Sequence, residues 1–180
     1  MGDAIIIKGA DGRHQETSGK AAGQRQGGGY FKELLRLEPD GGTTNIRNVK
    51  SKHWARWLGV EHRCVVPFNS FSEFNKAEGG DIWFALDETR PLACFAGIWT
   101  KVKEGETTND LYAFLTTEPK AEVAAIHPKA MPVILTTPDE VESWMTAPAD
   151  EALKFQRPLP DRSLRIVARG VKEDPAGQTA

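Results

Sequence analysis

The chain has 180 residues, with 23 Lys and Arg against 25 Asp and Glu and a formal net charge of −2 at pH 7. That length suits one domain with a substantial core, and the near-even balance means any nucleic-acid partner must be argued from a local patch. No apolar run approaches the roughly 18 residues of a membrane helix, and Met1 to Lys8 has only a short isoleucine run with no basic segment before it, unlike a signal peptide.

A soluble intracellular protein is expected, with Cys64 and Cys94 as buried, reduced thiols, since they lack CxxC spacing and lie in apolar segments. Ten of the 17 glycines fall in residues 1–42, where few large apolar side chains offset the backbone entropy that glycine loses on folding. Residues 1–42 therefore read as an atypical, poorly ordered segment, loosest over 9–29. Phe31, Leu34, Leu35 and Leu37 suit a short helix ended by Pro39. Residues 43–170 read as the folded domain, and 171–180 as a polar, frayed tail.

Within the domain, Ser51 is placed to cap a short helix carrying Trp54, Trp57 and Leu58, with Gly59 as its stop. Strand-like runs follow at Cys64–Val66, Ile82–Leu86, Leu92–Trp99 and Leu111–Thr117, the middle two reading as a hairpin across Asp87 to Pro91. A helical segment around Ala121–Ala125 precedes His127, and Met131–Leu135 reads as a buried strand. Thr137, Pro138 and Glu140 form a helix start in which threonine caps and glutamate returns a bond to the cap amide. Val141, Trp144 and Met145 mark its apolar face, and Leu164–Val167 reads as a last strand. The pattern is α+β, mainly antiparallel sheet with short peripheral helices.

Three polar sites stand inside or beside apolar sequence. Thr43 to Arg63 carries Arg47, Lys50, Lys52, Arg56 and Arg63 against Glu61 alone, interleaved with Trp54 and Trp57. Cations neutralise phosphates and aromatic faces stack on unpaired bases, but a solvated helix with two core tryptophans reads the same way. Glu73 lies between Phe71 and Phe74. Burial there raises a carboxyl pKa and suits it to proton transfer; the alternative is a glutamate pointing out from an edge strand. His127 leads into the Met131 strand with Lys129 two residues on. It can act as acid or base near neutral pH, or be structural. Glycine-rich phosphate loops, metal-ligand spacing and a GxSxG elbow are all missing, so no metal and no cofactor is expected.

Taken in order, these segments resemble the SRAP family (SOS-response-associated peptidase, or abasic-site processing proteins). Asn45-Ile46-Arg47 is similar to the family's Asn-Ala-Arg core, Arg63-Cys64-Val65-Val66-Pro67 to its Arg-Cys-(Leu/Val)-(Ile/Val)-Pro run, and Ser70-Phe71-Ser72-Glu73-Phe74 to its Gly-Phe-Tyr-Glu-Trp strand. Phe95-Ala96-Gly97-Ile98-Trp99, Leu115-Thr116-Thr117 and His127 to Leu135 match three further blocks, the last with one extra residue. The resemblance covers about residues 43 to 145.

It implies an α+β fold with a partly closed, barrel-like core of mainly antiparallel sheet. It also implies a monomer in the bacterial cytoplasm, associated with the nucleoid when bound to DNA, whose partner is single-stranded DNA bearing abasic sites. By the same resemblance, a mature N-terminal cysteine attacks the ring-opened sugar and closes a thiazolidine crosslink, with peptidase-type self-cleavage exposing that cysteine. Glu73 would be the acid/base residue, Asn45 would orient the terminus and the sugar ring, and His127 would assist ring opening. Arg47 would grip phosphate, with Thr117 and Lys129 as weaker contacts and Trp54 among the DNA-facing residues.

The chain departs from the family at its N-terminus. Position 2 is Gly2, no cysteine precedes Cys64, and the family's early Tyr-Asn-x-x-Pro and Arg-Trp-Gly-Leu-x-Pro segments are missing, as in a truncated or otherwise atypical member. The resemblance is thus compatible with a crosslinking enzyme, or with an inactive remnant that at most binds single-stranded DNA.

Overall fold

Short β-rich runs bounded by turn residues recur from Thr43 onward, and the chain answers with strands. A computed structural model describes residues 6–8, 14–15, 45–104 and 107–172. Its strands are β1 (Ile6–Lys8), β2 (His14–Gln15), β3 (Asn45–Ile46), β4 (Arg63–Phe68), β5 (Phe71–Asn75), β6 (Gly80–Ala85), β7 (Ala93–Glu104), β8 (Thr107–Thr117), β9 (Met131–Pro132), β10 (Ile134–Leu135) and β11 (Arg165–Arg169). The longest helix is Pro138–Thr146, and one-turn helices lie at Lys52–Ala55, Ala121–Ala124 and Ala149–Ala152. Of residues 1–42, β1 and β2 pair with each other and β1 with β4. The helix expected over Phe31 to Leu37, the rest of the glycine-rich segment and the tail from 173 lie outside the described residues.

The larger sheet runs β2-β1-β4-β7-β8-β3, and the smaller runs β11-β6-β5. Among the described residues pairing is antiparallel except that β3 lies parallel to β8. Neither sheet closes on itself among the described residues, so they form layers and do not confirm the expected barrel-like core. Along β4, Val65 packs into one apolar cluster with Trp144, while Cys64, Val66 and Phe68 pack into another with Phe71, Ile82 and Phe84 of the smaller sheet. β7 and β8 alternate in the same way, with Ala96 and Leu115 on the helix side and Phe95 and Tyr112 facing the second sheet. Burial on both faces explains why these strands read as nearly unbroken apolar runs.

The expected hairpin between Ile82–Leu86 and Leu92–Trp99 does not form. β6 pairs with β5 and β11, while β7 pairs with β4 and β8, so the turn from Asp87 to Pro91 carries the chain from one sheet to the other. Met131–Leu135 is likewise divided. β9 pairs with Thr116 and Thr117 of β8, and β10 with Cys94 and Phe95 of β7. Between them the Val133 amide donates to the Leu115 carbonyl at 2.9 Å and its own carbonyl accepts from the Ala96 amide at 3.0 Å. The segment thus joins β7 and β8 where they part, and it fixes the loop that follows His127.

The helix caps form largely as expected. Ser51 accepts from the His53 amide, but its helix stops at Ala55, with Trp57 and Leu58 packed just beyond it. Thr137 Oγ1 accepts from the Glu140 amide at 3.2 Å. Glu140 reaches one residue further back than a capping box would: its Oε2 accepts from the Thr136 amide at 2.7 Å rather than from the cap residue. No described helix is long and apolar enough to cross a membrane.

Candidate acid–base site

Glu73 sits at the middle of β5, an edge strand of the smaller sheet, opposite the fully buried Ile82. Side chains two apart on a strand share a face, so Glu73 points the same way as Phe71, toward the apolar space between the sheets. That answers the alternative of an outward-pointing glutamate. Val123 and Ile126 extend the same apolar cluster from the helix Ala121–Ala124. The His127 amide donates to the Val123 carbonyl at 2.7 Å, which fixes the ring where this helical turn ends.

The result is a contact between residues far apart in sequence: His127 Nδ1 lies 3.2 Å from Glu73 Oε2. Glu73 keeps 23 % of its side-chain exposure and His127 34 %, so the pair occupies a rim that solvent or a ligand can reach. Nδ1 itself is shut off from solvent and forms no well-aligned hydrogen bond, so the two groups are in close approach rather than bonded. Burial pushes the Glu73 carboxyl above its ordinary value, and the charge of a neighbouring His127 pulls it part of the way back. A carboxyl held this way beside an imidazole can pass a proton to and from a bound molecule.

The other expected residues divide. Arg47 is exposed, and its Nη1 donates to the carbonyl of Lys129, itself exposed two residues beyond His127. Asn45 is exposed and Ile46 buried, so strand alternation turns Asn45 and Arg47 to the same side of β3. Thr117 pairs with Met131 beside this loop but is 7 % exposed, which leaves little of it to touch a ligand. Trp54 does not join the site. It is 7 % exposed, packs in the core with Trp57, and meets the rings of His53 and Trp57 edge-on or tilted. This is the core-tryptophan reading, and the reason is spacing: residues 54 and 57 fall on one side of a helical turn.

Arg63 also leaves the basic stretch, for it is 1 % exposed. Sequence reading passes over Gln156 altogether. Its Nε2 donates to the Arg47 carbonyl at 2.7 Å and to the Thr116 carbonyl at 3.0 Å. A glutamine in a loop carries no sequence signal for such a role. Both cysteines are free and buried, and burial pushes both thiols up, away from nucleophilic use. Among the described residues no group of three or more His, Cys, Asp or Glu could hold a metal ion.

Fold and site together define an α+β protein with a half-buried carboxyl–imidazole pair flanked by exposed cations. The family SOS response associated peptidase (SRAP) matches residues 41–173, and the chain belongs to that family. The fold is similar to that of a Bordetella bronchiseptica protein solved by X-ray crystallography, at TM-score 0.66 and 20 % identity over 90 % of this chain and 81 % of that one. It is also similar to a Bacteroides thetaiotaomicron protein, at TM-score 0.57 and 21 % identity over 68 % of this chain. This chain spans 56 % of the length of that second structure. No curated protein matches the sequence.

Proposed function

We propose that the protein binds single-stranded DNA at abasic sites, with Glu73 and His127 as the acid–base pair that serves the opened sugar. The observation that carries this reading is the 3.2 Å approach of His127 Nδ1 to Glu73 Oε2 within a chain of this family. Arg47, bonded to the Lys129 carbonyl, and Lys129 would supply cations beside His127, and Asn45 a polar group on the Arg47 side of β3. An amine attacking the sugar aldehyde must lose a proton, and the aldehyde oxygen must gain protons to leave as water when the imine forms. A carboxyl and an imidazole in contact can trade those protons. Arg47 and Lys129 would meet the phosphates on either side, a term that weakens with salt.

A stable crosslink needs more than the imine. It needs a thiol on the attacking residue to add across the new C=N bond and close a ring. Both cysteines of this sequence, Cys64 in β4 and Cys94 in β7, are buried. This favours a second reading, in which the chain binds the lesion without closing the ring.

The test is incubation with single-stranded DNA carrying one abasic site, read by fluorescence anisotropy and on a denaturing gel. We expect salt-sensitive binding by the native chain without a heat-stable shifted band, and such a band after Gly2→Cys. Glu73→Gln and His127→Ala in the Gly2→Cys background should slow its appearance by about 10²-fold, the usual scale of a lost general acid or base. A stable band from the native chain would overturn the second reading. No binding by any variant would overturn the proposal as a whole.

A further inference from the structure

β3 is only two residues long and is bound to β8 through Asn45 and Ile46, so Arg47 lies just past the end of its ladder. A side chain there would ordinarily swing with a fraying strand end. Here the Arg47 carbonyl is held twice, by the Val49 amide at 3.2 Å and by Gln156 Nε2 at 2.7 Å. The same Nε2 holds the Thr116 carbonyl of β8 at 3.0 Å. One carboxamide therefore continues the β3–β8 pairing by one residue across a gap the backbone leaves open.

Gln156 is itself fixed. Its amide donates to the Leu153 carbonyl at 3.0 Å, and Leu153 and Phe155 pack against the core. On its other side, Arg157 is ion-paired with Glu140 of the helix Pro138–Thr146. From this fixed origin the amide sets the Arg47 backbone, while the guanidinium is aimed by the Lys129 carbonyl. An arginine has five N–H donors, so the bond to Lys129 leaves others for an anion.

We propose that Gln156 is a positioning residue that holds Arg47 ready for a DNA phosphate; this rests on the DNA-binding reading above. The donors do the holding, so Gln156→Met, which keeps length and neutrality without them, is the informative change. We expect Gln156→Met and Arg47→Ala each to weaken single-stranded DNA binding by about fivefold and to lower the salt slope by about one, the signature of one lost phosphate contact. The double variant should be no weaker than Arg47→Ala alone, since residues acting through one contact are not additive.

Hydrogen exchange at the Val49 amide, whose partner is the Arg47 carbonyl, should quicken in Gln156→Met without DNA present. Additive losses, or an unchanged salt slope with a lowered melting temperature, would make Gln156 merely structural and overturn the proposal. Unchanged Val49 exchange would overturn it as well. If the native chain fails to bind DNA while Val49 still quickens, the clamp stands and the DNA reading falls. Should Gln156→Met fail to fold, Gln156→Asn, which keeps the donors but falls short of the carbonyls, should show the same coupling in weaker form.

Discussion

Two places in this molecule press a charged side chain against an apolar wall, and they resolve the conflict differently. At one, Arg63 of β4 lies under the helix Pro138–Thr146. At the other, Glu73 of β5 lies under the turn that ends in His127. Arg63 is 1 % exposed, and its Nη2 donates to the Ala147 carbonyl at the C-terminal end of the helix, where cations are favoured. Its guanidinium lies 5.5 Å from the Trp144 ring, and Trp144 Nε1 donates to the Cys64 carbonyl at 2.8 Å. Burial lowers the Arg63 pKa, with Glu61 opposing, yet a guanidinium has no accessible neutral form. A buried arginine can only be tied down. Glu73 faces the His127 imidazole, at a rim open to solvent. Permanent charge serves as an anchor, and exchangeable charge is what the proposed proton transfer would use.

The anchor should break hardest. Trp144 is fully buried, and Trp144→Ala removes the largest such side chain and the bond to Cys64. We expect a loss of about 4 kcal/mol in a urea melt, enough to unfold a marginal domain. Arg63 sharpens the comparison. Arg63→Ala leaves a cavity and an unpaired Ala147 carbonyl, at about 3 kcal/mol. Arg63→Met fills the volume and removes the two guanidinium nitrogens, Nε and Nη1, that are buried without partners. It should therefore destabilise by only about 1 kcal/mol. Equal losses for the two variants would mean the charge itself, rather than packing, carries the anchor.

The strand packing beside it predicts a smaller effect. Gly97 of β7 stands opposite Cys64, and a Cβ there would lie 3.0 Å from the Cys64 sulfur and 3.1 Å from the Ala113 carbonyl. Gly97→Ala should destabilise by about 2 kcal/mol through overpacking. A neutral outcome would show that β4 and β8 can part to admit a methyl group.

Much of this was legible in the residues. Strands announced themselves as short apolar runs between turn residues, and Ser51 and Thr137 announced helix starts, because both signals are local. Pairing is not local, which is why the turn from Asp87 to Pro91 read as a hairpin when it changes sheets. Glu73 and His127 could each be singled out by residue type, but their meeting depends on β5 and the helix Ala121–Ala124 covering one apolar space. Arg63 shows the reverse error: in a basic stretch it reads as surface, although the run Cys64-Val65-Val66 just after it belongs to a strand buried on both faces. Gln156 had no signal, because a carboxamide reveals its role only through the two carbonyls it meets.

The smallest effect separates the two charged sites most cleanly. The folded state raises the Glu73 pKa above the ordinary carboxylate value, so folding favours its protonated form. The stability this contributes is fully present below about pH 4, the unfolded value, and is lost as pH rises through the folded value. Glu73→Gln has no such loss. The stability of the native chain relative to Glu73→Gln should therefore fall as pH rises from 4 toward neutrality, with contributions from groups remote from Glu73 cancelling in the difference. The charge of His127 opposes the shift. Measured in a His127→Ala background, the fall should move to higher pH and deepen. Arg63→Met, compared with the native chain over the same range, should give a constant difference, because Arg63 keeps its proton throughout. A flat line for Glu73 as well would place its carboxyl effectively in water, leaving the rim without the tuned acid that the proposed chemistry requires.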